Sequence, residues 1–183
     1  MRENKHRPPA AFTLIEICIS LALCILVVGL SLPRFTFFKQ FFLRQDIDKL
    51  WHVVTYLQQR AIASGSEQSL LFNPTTYTYT FKSTANSLIT ISLSSQIIFG
   101  ALPTTWGPPG RTDALITDPI SFPHQETPPH FHCLKIFSNG KIYPGTIYLC
   151  DRNKQIMAAL TCSISQVSYI RRYLYEKGQW TAL

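Results

Sequence analysis

The chain has 183 residues, 46% of them hydrophobic and 15% charged, with a formal net charge of +7. That length supports one modest domain beside an anchor and excludes two ordinary domains plus an anchor. The positive balance admits nucleic acid or anionic lipid as a partner without requiring either, because three cations and one anion, a net +2, fall within residues 1–11.

The first predicted element is an apolar helix. From Phe12 to Leu32 there are 21 residues with one charge, Glu16, and no proline. As a helix this run extends about 32 Å at 1.5 Å per residue, which matches a bilayer core. A secretory signal cut after the run is poorly served by Gly29 and Ser31, and a lipoprotein signal at Cys24 has Leu23 where a small residue is needed. A carboxylate in such a helix costs about 2.5–3.5 kcal/mol at its centre and less near the interface. Glu16 therefore asks for a function, the bland alternative being an acid that snorkels to the interface. Charge counting does not orient the helix, since Arg2, Lys5 and Arg7 face Arg34, Lys39, Arg44 and Lys49 across it.

Pro33 removes one backbone hydrogen bond and disturbs the preceding turn. Beyond it Leu43, Ile47, Leu50, Val54, Leu57 and Ala61 recur at steps of 4, 3, 4, 3 and 4, one stripe of an amphipathic helix. Lys49, Gln58 and Gln59 lie off the stripe, and Gly65 suits a C-cap after Ser64. One helix is expected from about Phe12 to Ser64, with Phe35, Phe37, Phe38, Phe41 and Phe42 making its middle aromatic.

After Gly65 the period becomes two. Tyr77, Tyr79 and Phe81 alternate with Thr78 and Thr80, and Ile89, Ile91 and Leu93 with Thr90 and Ser92, so both runs are predicted strands. Asn73-Pro74 predicts a turn, Ser138-Asn139-Gly140-Lys141 a hairpin with both central residues at positive φ, and Asp151–Lys154 another turn before a strand over Ile156–Ser165. Residues 101–130 hold seven of the twelve prolines and are expected to form a long surface loop. The fold class expected is α+β, a long N-terminal helix with a transmembrane half and an amphipathic half packed on antiparallel β-sheets.

Cys18 and Cys24 lie in the apolar run as small hydrophobes. Cys133, Cys150 and Cys162 allow one disulfide in any pairing, or none. His124, His130, His132 and Cys133 fall within ten residues, but no second short-spaced ligand couple accompanies them, so no metal or cofactor is expected. Nucleotide-binding glycine loops, nucleophile elbows and zincin motifs are absent, and Asp113, Asp118 and Glu126 are scattered through the proline-rich loop; an enzyme is not expected. In the tail Arg171, Arg172 and Lys177 are interleaved with Tyr169, Tyr173, Tyr175 and Trp180, a pattern that can bind nucleic acid. The competing reading is an edge strand protected by charge. It is favoured, because Glu176 dilutes the patch and three cations release few counterions.

The block Ala11-Phe12-Thr13-Leu14-Ile15-Glu16, directly after a short basic leader, resembles the prepilin peptidase site of the type IV pilin and pseudopilin superfamily. The resemblance implies cleavage between Ala11 and Phe12 on the cytoplasmic side, N-methylation of Phe12, and retention of the apolar helix. It makes Glu16 the acid that pairs with a neighbouring subunit's N-terminal ammonium, and Pro33 the helix-loosening proline; glycine is the family's usual residue where Ala11 stands. Gln59-Arg60-Ala61-Ile62-Ala63, Phe137-Ser138-Asn139-Gly140 and Gly145-Thr146-Ile147-Tyr148-Leu149 resemble the GspH/FimT group of minor pseudopilins. That group ends in a glycine-arginine strand, whereas this chain has Ser168-Tyr169-Ile170-Arg171-Arg172.

The implied organisation is a leader over 1–11, a membrane and assembly helix over 12–33, an amphipathic helix over 34–64 and a pilin-like β domain over 65–183. The implied function is that of a structural subunit of a type IV pilus or type II secretion pseudopilus, with a DNA-binding minor pilin of a DNA-uptake filament as the alternative. The partners implied are other pilins, the prepilin peptidase, an inner-membrane assembly platform and the membrane itself. The location implied is the bacterial inner membrane, crossed once with the N-terminus cytoplasmic and the β domain outside.

Overall fold

A computed structural model describes residues 13–31, 35–85, 87–109, 112, 114–122, 124–125, 131–163 and 169–183. The chain divides into two compact units, residues 1–37 and 38–183. The fold is mixed α+β. Helical residues fall into α1 (Leu14–Ser31) and α2 (Phe35–Ser64), and residues 32–34, Pro33 among them, lie outside the described residues.

The larger unit is built on the α2 stripe. Leu43, Ile47, Leu50, Val54, Leu57 and Ala61 are all fully buried, as the 4-3-4-3-4 spacing requires of residues on one helix face. Each such leucine or isoleucine contributes roughly 1.5–3 kcal/mol of burial. The helix stops at Ser64 because Gly65 takes φ +62°, the left-handed cap that glycine adopts at no steric cost.

Two antiparallel sheets supply the rest of the core. The first contains β1 (Gln68–Asn73), β2 (Thr78–Lys82), β3 (Leu88–Ser92), β5 (His124–Gln125) and β6 (Phe131–Ile136), in the order β3-β2-β1-β6-β5. The second contains β4 (Ile97–Phe99), β7 (Gly145–Asp151), β8 (Met157–Cys162), β9 (Ile170–Glu176) and β10 (Gln179–Ala182), in the order β10-β9-β8-β7-β4. Leu70, Phe72, Tyr79 and Leu134 from the first sheet and Ile147, Leu149, Leu160 and Leu174 from the second join the α2 stripe in one cluster. The Asn73 turn is closed by its own side chain, whose Oδ1 accepts Thr75 N–H at 2.9 Å and Thr76 N–H at 3.2 Å.

Polar side chains fix α2 to both sheets. Lys39 Nζ donates to Asp151 Oδ2 at 3.2 Å, Gln40 to Glu176 at 2.8 Å, and Arg172 pairs with Asp48. Asp46, fully buried beside the stripe, accepts the Ser94 N–H at 2.8 Å. Near the other end of the helix Arg60 donates to the carbonyls of Lys82 and Ser83, and Gln58 to that of Gly140 at 2.8 Å. Gln58 is therefore half-buried and bound to a carbonyl, not simply a solvent-facing residue.

Several expectations are corrected. The turn at Ser138–Lys141 forms, with Gly140 at φ +78° and its N–H bonded to the Phe137 carbonyl, but Asn139 is not at positive φ. After a single bridge, Ile136 to Ile142, the chain leaves β6, and β7 pairs with β8 and β4 in the other sheet. The proline-rich segment is not wholly a surface loop. Ile120 and Phe122 are buried in the main core, Tyr148 N–H donates to the Pro119 carbonyl at 2.8 Å, and β5 pairs with β6. The same segment carries Leu102 and Ile116 onto the outer face of the second sheet, over Tyr148, Cys150, Met157, Ala159 and Tyr173. An uncovered sheet face of that composition would leave large apolar side chains in water, which is why the segment docks. On the opposite, core-facing side of that sheet Phe122 seats closely against β7 because position 145 is glycine: a Cβ there would lie 2.4 Å from the Phe122 ring.

All five cysteines are free. Cys150 pairs across the ladder with Met157, and Cys162 lies an odd number of residues from Met157, so the two thiols project from opposite faces of the sheet. Cys133 belongs to the other sheet. Burial pushes all three thiols up, Cys150 to about 11 and Cys162 to about 12.

Candidate assembly helix and basic C-terminal strand

Helix α1 begins at a cap encoded in four residues. Glu16 N–H donates to Thr13 Oγ1 at 3.4 Å, while Thr13 N–H and Thr13 Oγ1 each donate to Glu16 Oε2 at 3.0 Å. This is the reciprocal capping box of the pattern Thr-x-x-Glu, and it satisfies two donors that a helix start leaves open. The spacing Thr13-Leu14-Ile15-Glu16 encodes that box, so Glu16 caps the helix besides placing a charge at the head of the apolar run. Ala11, Phe12 and Pro33 lie outside the described residues.

The surface of α1 is apolar on every side. Leu14, Ile15, Ile17, Ile19, Leu21, Leu23, Ile25, Leu26 and Val27 are all exposed, from 52% to 81%. A helix hydrophobic all round belongs in an apolar surrounding, whether lipid or a bundle of other helices. Among the described residues no helix is long and apolar enough to cross a membrane. The 18 residues of α1 extend about 27 Å, and the expected span of 12–32 has both ends outside the described residues.

The three basic residues of the tail are not a shared patch. In β9, Arg171 and Arg172 project from opposite faces. Arg172 points to α2, where it pairs with Asp48 and lies 4.7 Å from the centre of the Trp51 ring. Arg171 is exposed, 5.9 Å from the Tyr169 ring, on the rim of a groove of about 330 Å³ shared with Pro108, Pro109 and Tyr173. Lys177 sits in the β9–β10 turn at φ +52°, followed by Gly178 at φ +82°, a two-residue hairpin connection. The strand is not an edge, because β8 and β10 flank β9 on either side.

The metal-capable side chains do not gather. His132 Nδ1 is 3.1 Å from the Phe122 carbonyl, and Cys133, next in the strand, faces the other way. Among the described residues no three histidine, cysteine or acidic side chains are grouped to hold a metal ion, and His130 lies outside them.

The motifs that carried the resemblance have physical roles in the fold. Arg60 ties the β2–β3 connection to α2, Ala61 completes the buried stripe, Gly140 accepts the Gln58 amide, and Gly145 seats Phe122. No family model matches the chain, and no curated protein or solved structure is significantly similar to it.

Proposed function

We propose that this chain is a structural subunit of a membrane-anchored helical filament, a minor pilin or pseudopilin cut between Ala11 and Phe12 and assembled through its N-terminal helix. One observation carries the reading: α1 is apolar on all sides and exposed, while the core of the larger unit is filled by α2. After cleavage the helix of residues 12–33 stays in the inner membrane and then packs with like helices, which removes its apolar surface from lipid and water alike. Glu16 uses Oε2 for the Thr13 cap. Oε1 is then the oxygen offered to the N-terminal ammonium of a neighbouring subunit. The nucleic-acid alternative is weakened by the engagement of Arg172 with Asp48 and Trp51.

The test is the mass of the mature protein, which should begin at Phe12 with one added methyl group. Glu16→Ala should leave processing intact and reduce incorporation into filaments. Glu16→Gln separates charge from capping, since glutamine also closes the box. It should assemble as poorly as Glu16→Ala. Full assembly of Glu16→Gln, or purified material that retains residues 1–11, would overturn the assignment.

A further inference from the structure

The first sheet ends on β3, and among the described residues nothing pairs with its outer side. The phase of the β2–β3 ladder is fixed at both ends, where Leu93 N–H donates to the Tyr77 carbonyl at 3.0 Å and Ser83 N–H to the Ser87 carbonyl at 2.7 Å. Hydrogen-bonded and non-bonded pairs alternate along an antiparallel ladder. The bonded pairs between those ends are Tyr79 with Ile91 and Phe81 with Ile89. Leu88, Thr90 and Ser92 therefore turn their N–H and C=O groups away from β2, towards the open side.

Natural sheets protect such a row with charge, proline, shortness or cover. The other outer strands do so: β5 has two residues, β4 has three and is largely buried, and β10 follows Lys177. Strand β3 reads Leu-Ile-Thr-Ile-Ser, without charge or proline, and leaves Leu88 66% and Ile89 38% exposed.

We propose that β3 pairs with β3 of a second copy of this chain, antiparallel and centred on Thr90. Ile89-Thr90-Ile91 reads the same in both directions, so a two-fold axis at Thr90 makes the edge its own complement. Thr90 meets Thr90 of the copy, and Leu88 meets Ser92 at each end, three pairs that each exchange both backbone bonds. Ile89 meets Ile91 of the copy on the face that already holds Tyr79 and Phe81, which covers the exposed part of Ile89. No like charges oppose one another. The pairing lies in the larger unit and does not rest on the role given to α1.

The experiment is register-specific disulfide trapping of the full chain in detergent micelles, with Cys18→Ala and Cys24→Ala removing the exposed thiols of α1. Opposed Cα atoms in a bonded pair are about 5.5 Å apart, within disulfide reach, so Thr90→Cys should give mostly dimer under mild oxidation. Two copies of position 88 are about 13 Å apart, so Leu88→Cys alone should give at least ten-fold less. Mixing the Leu88→Cys and Ser92→Cys proteins should restore the dimer. Adding Ile89→Lys to Thr90→Cys should cut the yield about ten-fold; if that variant fails to fold, the comparison of positions 90 and 88 decides. Equal yields at those positions, or no dimer at position 90, would overturn the proposal.

Discussion

Replacing Arg172 by alanine separates a structural cation from a nucleic-acid contact. Arg172 is 24% exposed and Asp48 46%, so water screens their ion pair and its contribution is about 0.5 kcal/mol. The guanidinium at 4.7 Å from the Trp51 ring centre adds about 0.5–1 kcal/mol, and the buried stem some packing besides. Arg172→Ala should therefore cost about 1–2 kcal/mol, a fall in Tm of roughly 3–6 °C for a chain of this size. The assay is a thermal melt followed by near-ultraviolet circular dichroism, closed into a cycle with Asp48→Ala. The coupling should be about 0.5 kcal/mol and shrink as salt is raised. Arg171→Ala, which removes only a ring contact at 5.9 Å, should stay within about 0.5 kcal/mol of the parent. Were Arg172→Ala neutral in the melt while abolishing DNA retardation at low salt, the strand would have to be read as a binding surface.

Asp151 gives a pH signature. Burial pushes its carboxyl up, but N–H donation from Ile156 and Gln155 together with the Lys39 ammonium outweighs this and holds it below the ordinary range. Its stabilisation is thus full above the unfolded carboxylate value and is lost as pH falls through the lower folded one. Urea midpoints should decline below about pH 4, and Asp151→Asn should remove that part of the slope and cost about 1–3 kcal/mol at neutral pH. Gly145→Val should drive the Phe122 ring from its seat, destabilise by about 1–3 kcal/mol and speed proteolysis within residues 101–122; an unchanged melt would show that the ring yields freely. A small maleimide at neutral pH should spare Cys150 and Cys162, with pKa values of about 11 and 12, until the fold is opened. Rapid labelling of Cys150 in the folded protein would contradict its placement.

What could be read from the sequence was what is local and periodic. The α2 stripe, the Gly65 cap, the Asn73 turn and the Asp151–Lys154 turn each depend on residues within a few positions of one another, and all are present. Strand β4 has only three residues, too short for a period to register. Leu102, Ile116, Ile120 and Phe122 are irregularly spaced because the chain meets the second sheet through isolated bonds, so a high proline count read as surface concealed a covering layer. The partners of Arg172 were invisible for another reason: Asp48 lies 124 positions away, and only the folded topology brings them together. At the candidate site the Thr13-x-x-Glu16 spacing is a local cap signal, but it is embedded in an apolar run in which the same acid also carries a cost in lipid, so the sequence alone does not separate the two roles.

The fastening of α2 has a mechanical consequence. Lys39 to Asp151, Gln40 to Glu176, Asp48 to Arg172, Gln58 to Gly140 and Arg60 to the Lys82–Ser83 carbonyls are spread along the helix and end on both sheets. Tension entering at the Phe38 end is shared among these rivets in shear rather than opening them one after another like a zip. The helix behaves as a splint, and the domain it braces yields as one body under a longitudinal tug.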